Sequence, residues 1–342
     1  MTALVSDRVK ALPKAELHVH LDGSLRPDTM LDLAAGRGVA MPADTATALR
    51  SHMIVTDATD LEGYLERFSI TLSVMQDEEA IERIAYELAV DHAAEGVRYV
   101  EARFCPLLNT EAGLSSPDVL EAALGGLRRA EAEHDVRTGV IVCTLRTLDP
   151  ARSIELAELA ISYRRRGVCG FDIAGAEQGY PVREHQEALE RAARGGVPIT
   201  IHAGEGFGPE SIRQALDLGH ARRIGHGTRL REDDALLERV RQERIVLETC
   251  LTSNVQTGVV ASLADHPALE YHRAGVPISL ATDNRLLSGV SLTDEYLNAH
   301  EALGFSWSEL VEVARLGFEH AFVDEDVRLE MLRAFDAAAS AL

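Results

Sequence analysis

His18-Val19-His20 places two imidazoles on alternate residues, and residues i and i+2 of a strand project to the same side. Two neutral imidazoles, a third histidine and a carboxylate form a donor set suited to Zn2+, with a position left open for water. Further members of such a set stand at the ends of short apolar runs: Asp172, His202-Ala203-Gly204-Glu205, Gly225-His226-Gly227 and Thr282-Asp283-Asn284. His202 and Asp283 are the natural third and fourth ligands. Zinc brings the pKa of a bound water to about 7 and so supplies hydroxide at neutral pH. His226 and Asp283 are placed to take that water's proton and orient its attack. Glu205, three residues after a candidate ligand, is placed to donate a proton to a substrate. Gly204 and Gly206 flank Glu205, consistent with a backbone that must approach a ligand closely. A lone histidine in a fold usually has a backbone partner or lies exposed, and His92, His134 and His185 are read that way. Four histidines gathered at strand ends beside two acids form a convergent site.

The elements that must hold these residues follow from the pattern around them. Eight candidate strands are Ala15–His20, Val97–Phe104, Thr138–Thr144, Val168–Ile173, Pro198–His202, Arg223–His226, Ile245–Thr249 and Ile278–Thr282. They are short, and several are rich in Val and Ile, as strands buried on both faces should be. Amphipathic helices alternate with them. Ser116-Pro117 and Asp149-Pro150 place a capping side chain before a proline at the first helical position. Asp77-Glu78-Glu79 opens a run with apolar residues at Ile81, Ile84, Ala85 and Leu88, and Ser306-Trp307-Ser308-Glu309 has the capping-box pattern. Eight β-then-α units predict an α/β fold, a closed (β/α)8 TIM barrel in one domain spanning 1–342. Extra helices are expected after strand 1, over roughly residues 26–92, and at the C-terminus. An open doubly wound sheet fits less well, because no GxGxxG follows the first strand. In such a barrel the C-terminal strand ends build the active site, and five of these ends carry His, Asp or Glu.

The formal net charge is −21, from 55 acidic and 34 basic side chains. A surface so negative repels phosphate-rich partners and anionic membranes, so a small neutral or cationic substrate is expected and nucleic acid is not. Cys105, Cys143, Cys169 and Cys250 lie far apart with no CxxC pair and are read as reduced thiols. No apolar run reaches the length of a membrane span, and the first residues lack the apolar stretch of a secretory signal. A cytoplasmic protein is expected.

The ordered motifs LPKAELHVHLDGSLRP, FDIAGAE, HAGEGFGPESI, RIGHGTRL, ETCLTSNVQT and SLATDNR closely resemble the adenosine deaminase family of the amidohydrolase superfamily, from about Leu12 to past Asn284. The resemblance implies one catalytic zinc per subunit, held by His18, His20, His202 and Asp283. It implies that Glu205 protonates a purine at N1 and that His226 orients and deprotonates the attacking water. Gly175 would offer its backbone N–H to purine N3, and Asp22, with His20 close by, would address the ribose. Tyr64, Leu65 and Phe68, at helical spacing, look like a helix over the pocket mouth. The HxE…PCxxC signature of the nucleic-acid cytidine deaminases is absent, and strand four does not end in the lysine that a two-metal amidohydrolase commonly carbamylates.

The sequence departs from the family pattern after the last strand. Many members have two successive aspartates there, and this chain has Asp283-Asn284 followed by Arg285. An Asp donates to purine N7 only when protonated, whereas an Asn amide donates at any pH, so Asn284 preserves purine recognition. The expected ligand is a purine nucleoside, adenosine or 2′-deoxyadenosine. A rim Arg285, or Arg103 or Arg146, could instead pair with the carboxylate of 6-aminodeoxyfutalosine, a 5′-extended adenine nucleoside. Free adenine is a third option. Outside deamination, a zinc cyclic-amide hydrolase or a purine-binding protein without turnover would use the same barrel.

Overall fold

The computed structural model describes residues 2–56 and 61–342. Eight strands follow one another, each with helical material after it: β1 (Lys14–His20), β2 (Val97–Phe104), β3 (Arg137–Leu145), β4 (Val168–Ala174), β5 (Thr200–Ala203), β6 (Arg223–His226), β7 (Val246–Thr249) and β8 (Ile278–Leu280). Every pairing is parallel, in the orders β1-β2-β3-β4 and β5-β6-β7-β8. Two bridges join the halves. Phe171 pairs with Ile199 between β4 and β5, and Val19 pairs with Asp283 between β1 and the end of β8. At the second seam the His20 N–H donates to Asp283 O at 2.7 Å and the Asp283 N–H to His18 O at 2.9 Å. The expected (β/α)8 barrel is therefore closed, and its closing bonds run through three of the predicted metal ligands.

Most strands begin or end one or two residues from the expected positions, and two differences from expectation have simple reasons. Pro198 has no N–H to give a ladder, and regular β5 starts at Thr200. The cap of helix Ser116–Glu133 is Ser115, not Ser116, because Ser115 stands three residues before Asp118 and completes a reciprocal capping box with it. Asp149, Asp77 and Ser306 cap their helices as the sequence predicts. Helices Pro27–Arg37, Ala46–Met53, Leu61–Leu65, Phe68–Leu72 and Glu78–Ala94 fill the insertion between β1 and β2. Residues 57–60 of that predicted insertion lie outside the described residues. Trp307–Glu319 and Glu325–Ala339 supply the expected C-terminal helices. Gly317 lets the first of these lie against β1, since a Cβ there would meet the Ala15 Cβ at 3.2 Å. Most of the buried apolar side chains among the described residues form one cluster reaching from Val9 to Phe335. Among the described residues no helix is long and apolar enough to cross a membrane.

Candidate active site

The C-terminal ends of β1, β5, β6 and β8 bring His18, His20, His202, His226 and Asp283 together, and all but His20 are buried. One ligand atom from each of His18, His202, His226 and Asp283 falls within a 4.8 Å group. His20 joins this group by its Nε2, 3.1 Å from His202 Nε2 and 3.4 Å from Asp283 Oδ1. His18 Nε2 also lies 3.4 Å from Asp283 Oδ1.

What stands behind the imidazoles decides their protons. His18 Nδ1 meets Glu248 at 2.9 Å, and His202 Nδ1 meets Asp172 at 3.0 Å. Burial would push both carboxyls up, but Arg103, between them, and the imidazoles hold both well below the usual range. Arg103 donates to Asp172 at 3.0 Å and to Glu248 at 2.9 Å, and Arg223 adds a bond of 2.7 Å to Glu248. An ionised carboxylate only accepts, so each Nδ1 carries a hydrogen and each Nε2 of a neutral ring turns a lone pair forward. The His18 Nε2 lone pair then faces the Asp283 carboxylate with no hydrogen-bond partner, and the His202 Nε2 lone pair faces His20 Nε2. That arrangement is repulsive until a cation sits among the donors. Three imidazoles, a carboxylate and carboxylate-backed Nδ1 atoms fit zinc.

The electrostatics agree for three of the four imidazoles. Burial pushes the His20, His202 and His226 imidazoles down, towards the neutral form a metal requires. Burial and Arg103 also press on His18, but the neighbouring Asp283 and Glu248 overcome them and raise it. Burial would raise Asp283 as well, yet the surrounding imidazoles hold its carboxyl well below the ordinary range. Asp283 and His226 have φ of 58° and 63°, conformations costly to residues with a Cβ. At Asp283 the seam bonds to His18 and His20 over-determine the backbone and hold it there.

Three positions not singled out at the sequence level complete the site. Glu177, inside the FDIAGAE motif, accepts the backbone N–H groups of Gly204, Glu205 and Gly206 at 3.0, 2.9 and 3.0 Å and so fixes the loop that carries Glu205. Ser253 donates to Asp283 Oδ2 at 2.6 Å. Asn254 Nδ2 lies 3.1 Å from His226 Nδ1. Both residues stand in ETCLTSNVQT, a polar stretch after β7 whose content was a usable signal. Glu205 faces His226 Nε2 at 3.4 Å and accepts from Thr257 at 3.2 Å.

A narrow cavity over these groups is lined by His20, Tyr64, Phe68, Glu205, Asp283 and Asn284, among others, and a neighbouring one of about 510 Å3 continues past His20 and Asp22. Tyr64, Leu65 and Phe68 line the narrow cavity, but on two short helices, Leu61–Leu65 and Phe68–Leu72, rather than the single helix expected. Gly175, at φ 89°, lines both cavities. Asp22 is buried with Oδ1 unpartnered, and burial pushes its carboxyl up to about 7. Asn284 packs Oδ1 against Gly23, where a Cβ would lie only 1.8 Å away.

The arginines offered for a substrate carboxylate are elsewhere. Arg285 turns away from the cavity and is ion-paired with Glu95, which also accepts the Thr293 N–H at 2.8 Å. Arg103 is buried between Asp172 and Glu248, and Arg146 donates to the carbonyls of Tyr180 and His202 at 2.8 and 2.7 Å. The expectation that Arg285 reaches a 5′-extended substrate is corrected on this ground.

Comparison with known proteins gives the same picture. The family model described as adenosine deaminase matches residues 13–338. An adenosine deaminase from Clostridium acetobutylicum is 39% identical over 333 residues, covering 97% of this chain and 99% of its own. Among solved structures, adenine deaminase from Arthrobacter aurescens superposes with a TM-score of 0.89 at 27% identity, covering 95% of this chain and 98% of that one. An amidohydrolase from Burkholderia ambifaria with bound Zn superposes with a TM-score of 0.87 at 25% identity, covering 100% and 95%.

Proposed function

On the premise that the chain belongs to the adenosine deaminase family and catalyses hydrolytic deamination of adenosine, we propose that one zinc ion held by His18, His20, His202 and Asp283 serves the reaction. The products are inosine, or 2′-deoxyinosine from 2′-deoxyadenosine, and ammonia. The reading rests on one observation: imidazole lone pairs and a carboxylate converge at the floor of a covered cavity, with two of the rings tied back to buried carboxylates. Bound zinc supplies the Lewis acidity that makes hydroxide available near neutral pH.

The chain's own residues do the rest. Glu205, its loop clamped by Glu177, protonates the purine at N1 so that C6 accepts a nucleophile. His226 and Asp283 orient the attacking water, the Asp283 carboxylate being able to accept its proton, and Ser253 keeps that carboxylate in one orientation. Gly175 donates its N–H to N3 and Asn284 its amide to N7, while Asp22 and His20 address the ribose. The short helices Leu61–Leu65 and Phe68–Leu72, which bear Tyr64 and Phe68, exclude bulk water, which strengthens each of these contacts.

Lining chemistry selects the substrate. Neither cavity has an arginine or lysine among its described lining residues, and the larger is walled by groups such as Leu65, Phe68, Leu108, Cys143 and Leu145. A neutral nucleoside fits it. The carboxylate of 6-aminodeoxyfutalosine would meet no cation, and free adenine would leave Asp22 without a partner. Four unpaired cysteines suit a reducing, cytoplasmic setting. The test compares kcat/KM for adenosine, 2′-deoxyadenosine, adenine and 6-aminodeoxyfutalosine on enzyme of measured zinc content. Adenosine and 2′-deoxyadenosine should lead with one zinc per chain, and preference for the extended nucleoside or the free base would overturn the assignment.

A further inference from the structure

Behind His226 lies a short chain of hydrogen bonds that serves no substrate contact. It runs through Asn254, His266 and the backbone of Ala268, with all the side chains buried. Its direction can be read from its far end. The Ala268 N–H donates to His266 Nδ1 at 3.2 Å, so that nitrogen presents a lone pair. Burial, with Arg231 nearby, pushes the His266 imidazole down to about 3, so the ring is neutral and its single proton is on Nε2. That N–H points at Asn254 Oδ1, 3.1 Å away, and Thr228 Oγ1 donates to the same oxygen at 2.7 Å. Two donors on one atom identify it as the amide oxygen, which leaves Asn254 Nδ2 facing His226 Nδ1 at 3.1 Å. An amide nitrogen only donates. His226 Nδ1 must therefore accept, and the proton of neutral His226 sits on Nε2, the nitrogen that faces Glu205 at 3.4 Å.

We propose that the Ala268 backbone, His266 and Asn254 form a relay that fixes His226 as its Nε2–H tautomer, so that His226 enters the reaction as a hydrogen-bond donor and Asn254 and His266 are positioning residues. This reverses the expectation that His226 takes a proton from water: the resting ring has no lone pair at that end. Its N–H can instead hold a lone pair of the incoming oxygen, while the acceptors at that end are the carboxylates of Asp283 and Glu205. The relay also explains why an asparagine is needed at 254. Only a side chain with an acceptor on one side and a donor on the other passes the Ala268 N–H's instruction to His226 unchanged.

The inference rests on the placement of His226 at the reacting end, and the two fail separately. The test is a long-range 1H–15N correlation of zinc-loaded enzyme labelled with 15N-histidine, His226 being assigned by its loss in His226→Gln. Wild-type enzyme should show His226 protonated at Nε2 and bare at Nδ1. Asn254→Asp keeps the shape but can only accept, so a proton should move onto Nδ1. In that variant kcat should fall about a hundredfold, with KM unchanged within about twofold. A wild-type ring protonated at Nδ1, or an Asn254→Asp ring still bare there, overturns the relay. The wild-type spectrum decides the matter even if the variant does not fold. If wild-type enzyme fails to deaminate adenosine, the functional reading falls instead, whatever the spectrum shows.

Discussion

Two sets of polar side chains lie back to back inside the barrel, and they obey opposite rules. Behind the imidazoles, Asp172 and Glu248 meet Arg103 and Arg223, and Glu101 closes the set by pairing with Arg223. Each buried carboxylate there has a guanidinium against it. In front, on the cavity side, His18 Nε2 and Asp22 Oδ1 are buried without a hydrogen-bond partner, and His226 and Asp283 have strained backbones. Unsatisfied buried polar atoms are costly. The carboxylates behind the imidazoles are saturated by guanidinium groups, although Arg103 Nε is itself without a partner, whereas the atoms in front await a ligand.

The comparison can be broken at several points. Glu205→Gln, on the open side, should lower kcat by about 10^2 to 10^4 while the thermal midpoint stays within error. Retention of full rate would point to cyclic-amide hydrolysis instead. Glu248→Gln, on the saturated side, should do the reverse in kind. It leaves Arg103 and Arg223 buried with too little counter-charge, and chemical denaturation should show a loss of about 3–5 kcal/mol. If it unfolds no more easily than wild type, the claim that this network carries stability is wrong. Gly23→Ala, at the junction of β1 with the cavity, collides with Asn284 and should cost about 1–3 kcal/mol, relieved by adding Asn284→Gly.

Glu295 sharpens the rule by lacking a cation. It is buried beside the Thr252 N–H at 3.2 Å, and burial pushes its carboxyl up to about 8, whereas Asp172 and Glu248, equally buried, are driven down. The folded protein keeps this proton up to about pH 8, while the unfolded chain releases it near its ordinary pKa of 4.5. Between those values the folded state binds more protons, so stability falls as pH rises. Relative to Glu295→Gln, wild-type stability should drop by up to about 1.4 kcal/mol per pH unit across that window. Parallel curves for the two proteins would show that Glu295 is ionised throughout.

The strands and the metal-facing residues were legible because both depend on local rules. Alternation puts His18 and His20 on one side, and a parallel barrel collects its strand ends at one mouth. Arg285 was misplaced because a rim position does not say which way a side chain turns. Its partner Glu95 lies 190 residues earlier, where the inserted helix Glu78–Ala94 ends. Asn254 and His266 were hidden for a related reason: their meaning comes from one proton's address, fixed by a backbone N–H at Ala268. The capping serine was off by one because Ser115 and Ser116 are equivalent until Asp118 chooses between them.

The seam between β1 and β8 has a consequence for folding. The bonds that close the barrel run through three of the four donors that would hold a cation, His18, His20 and Asp283, drawn from the first strand and the end of the last. A chain that lacks β8 and the residues after it has the imidazoles of His18, His20 and His202 and no Asp283 carboxylate to meet them. A cation bound at the mouth is then a clasp across nearly the whole polypeptide, gripping only when the circle is complete. Its affinity adds directly to the stability of the closed form.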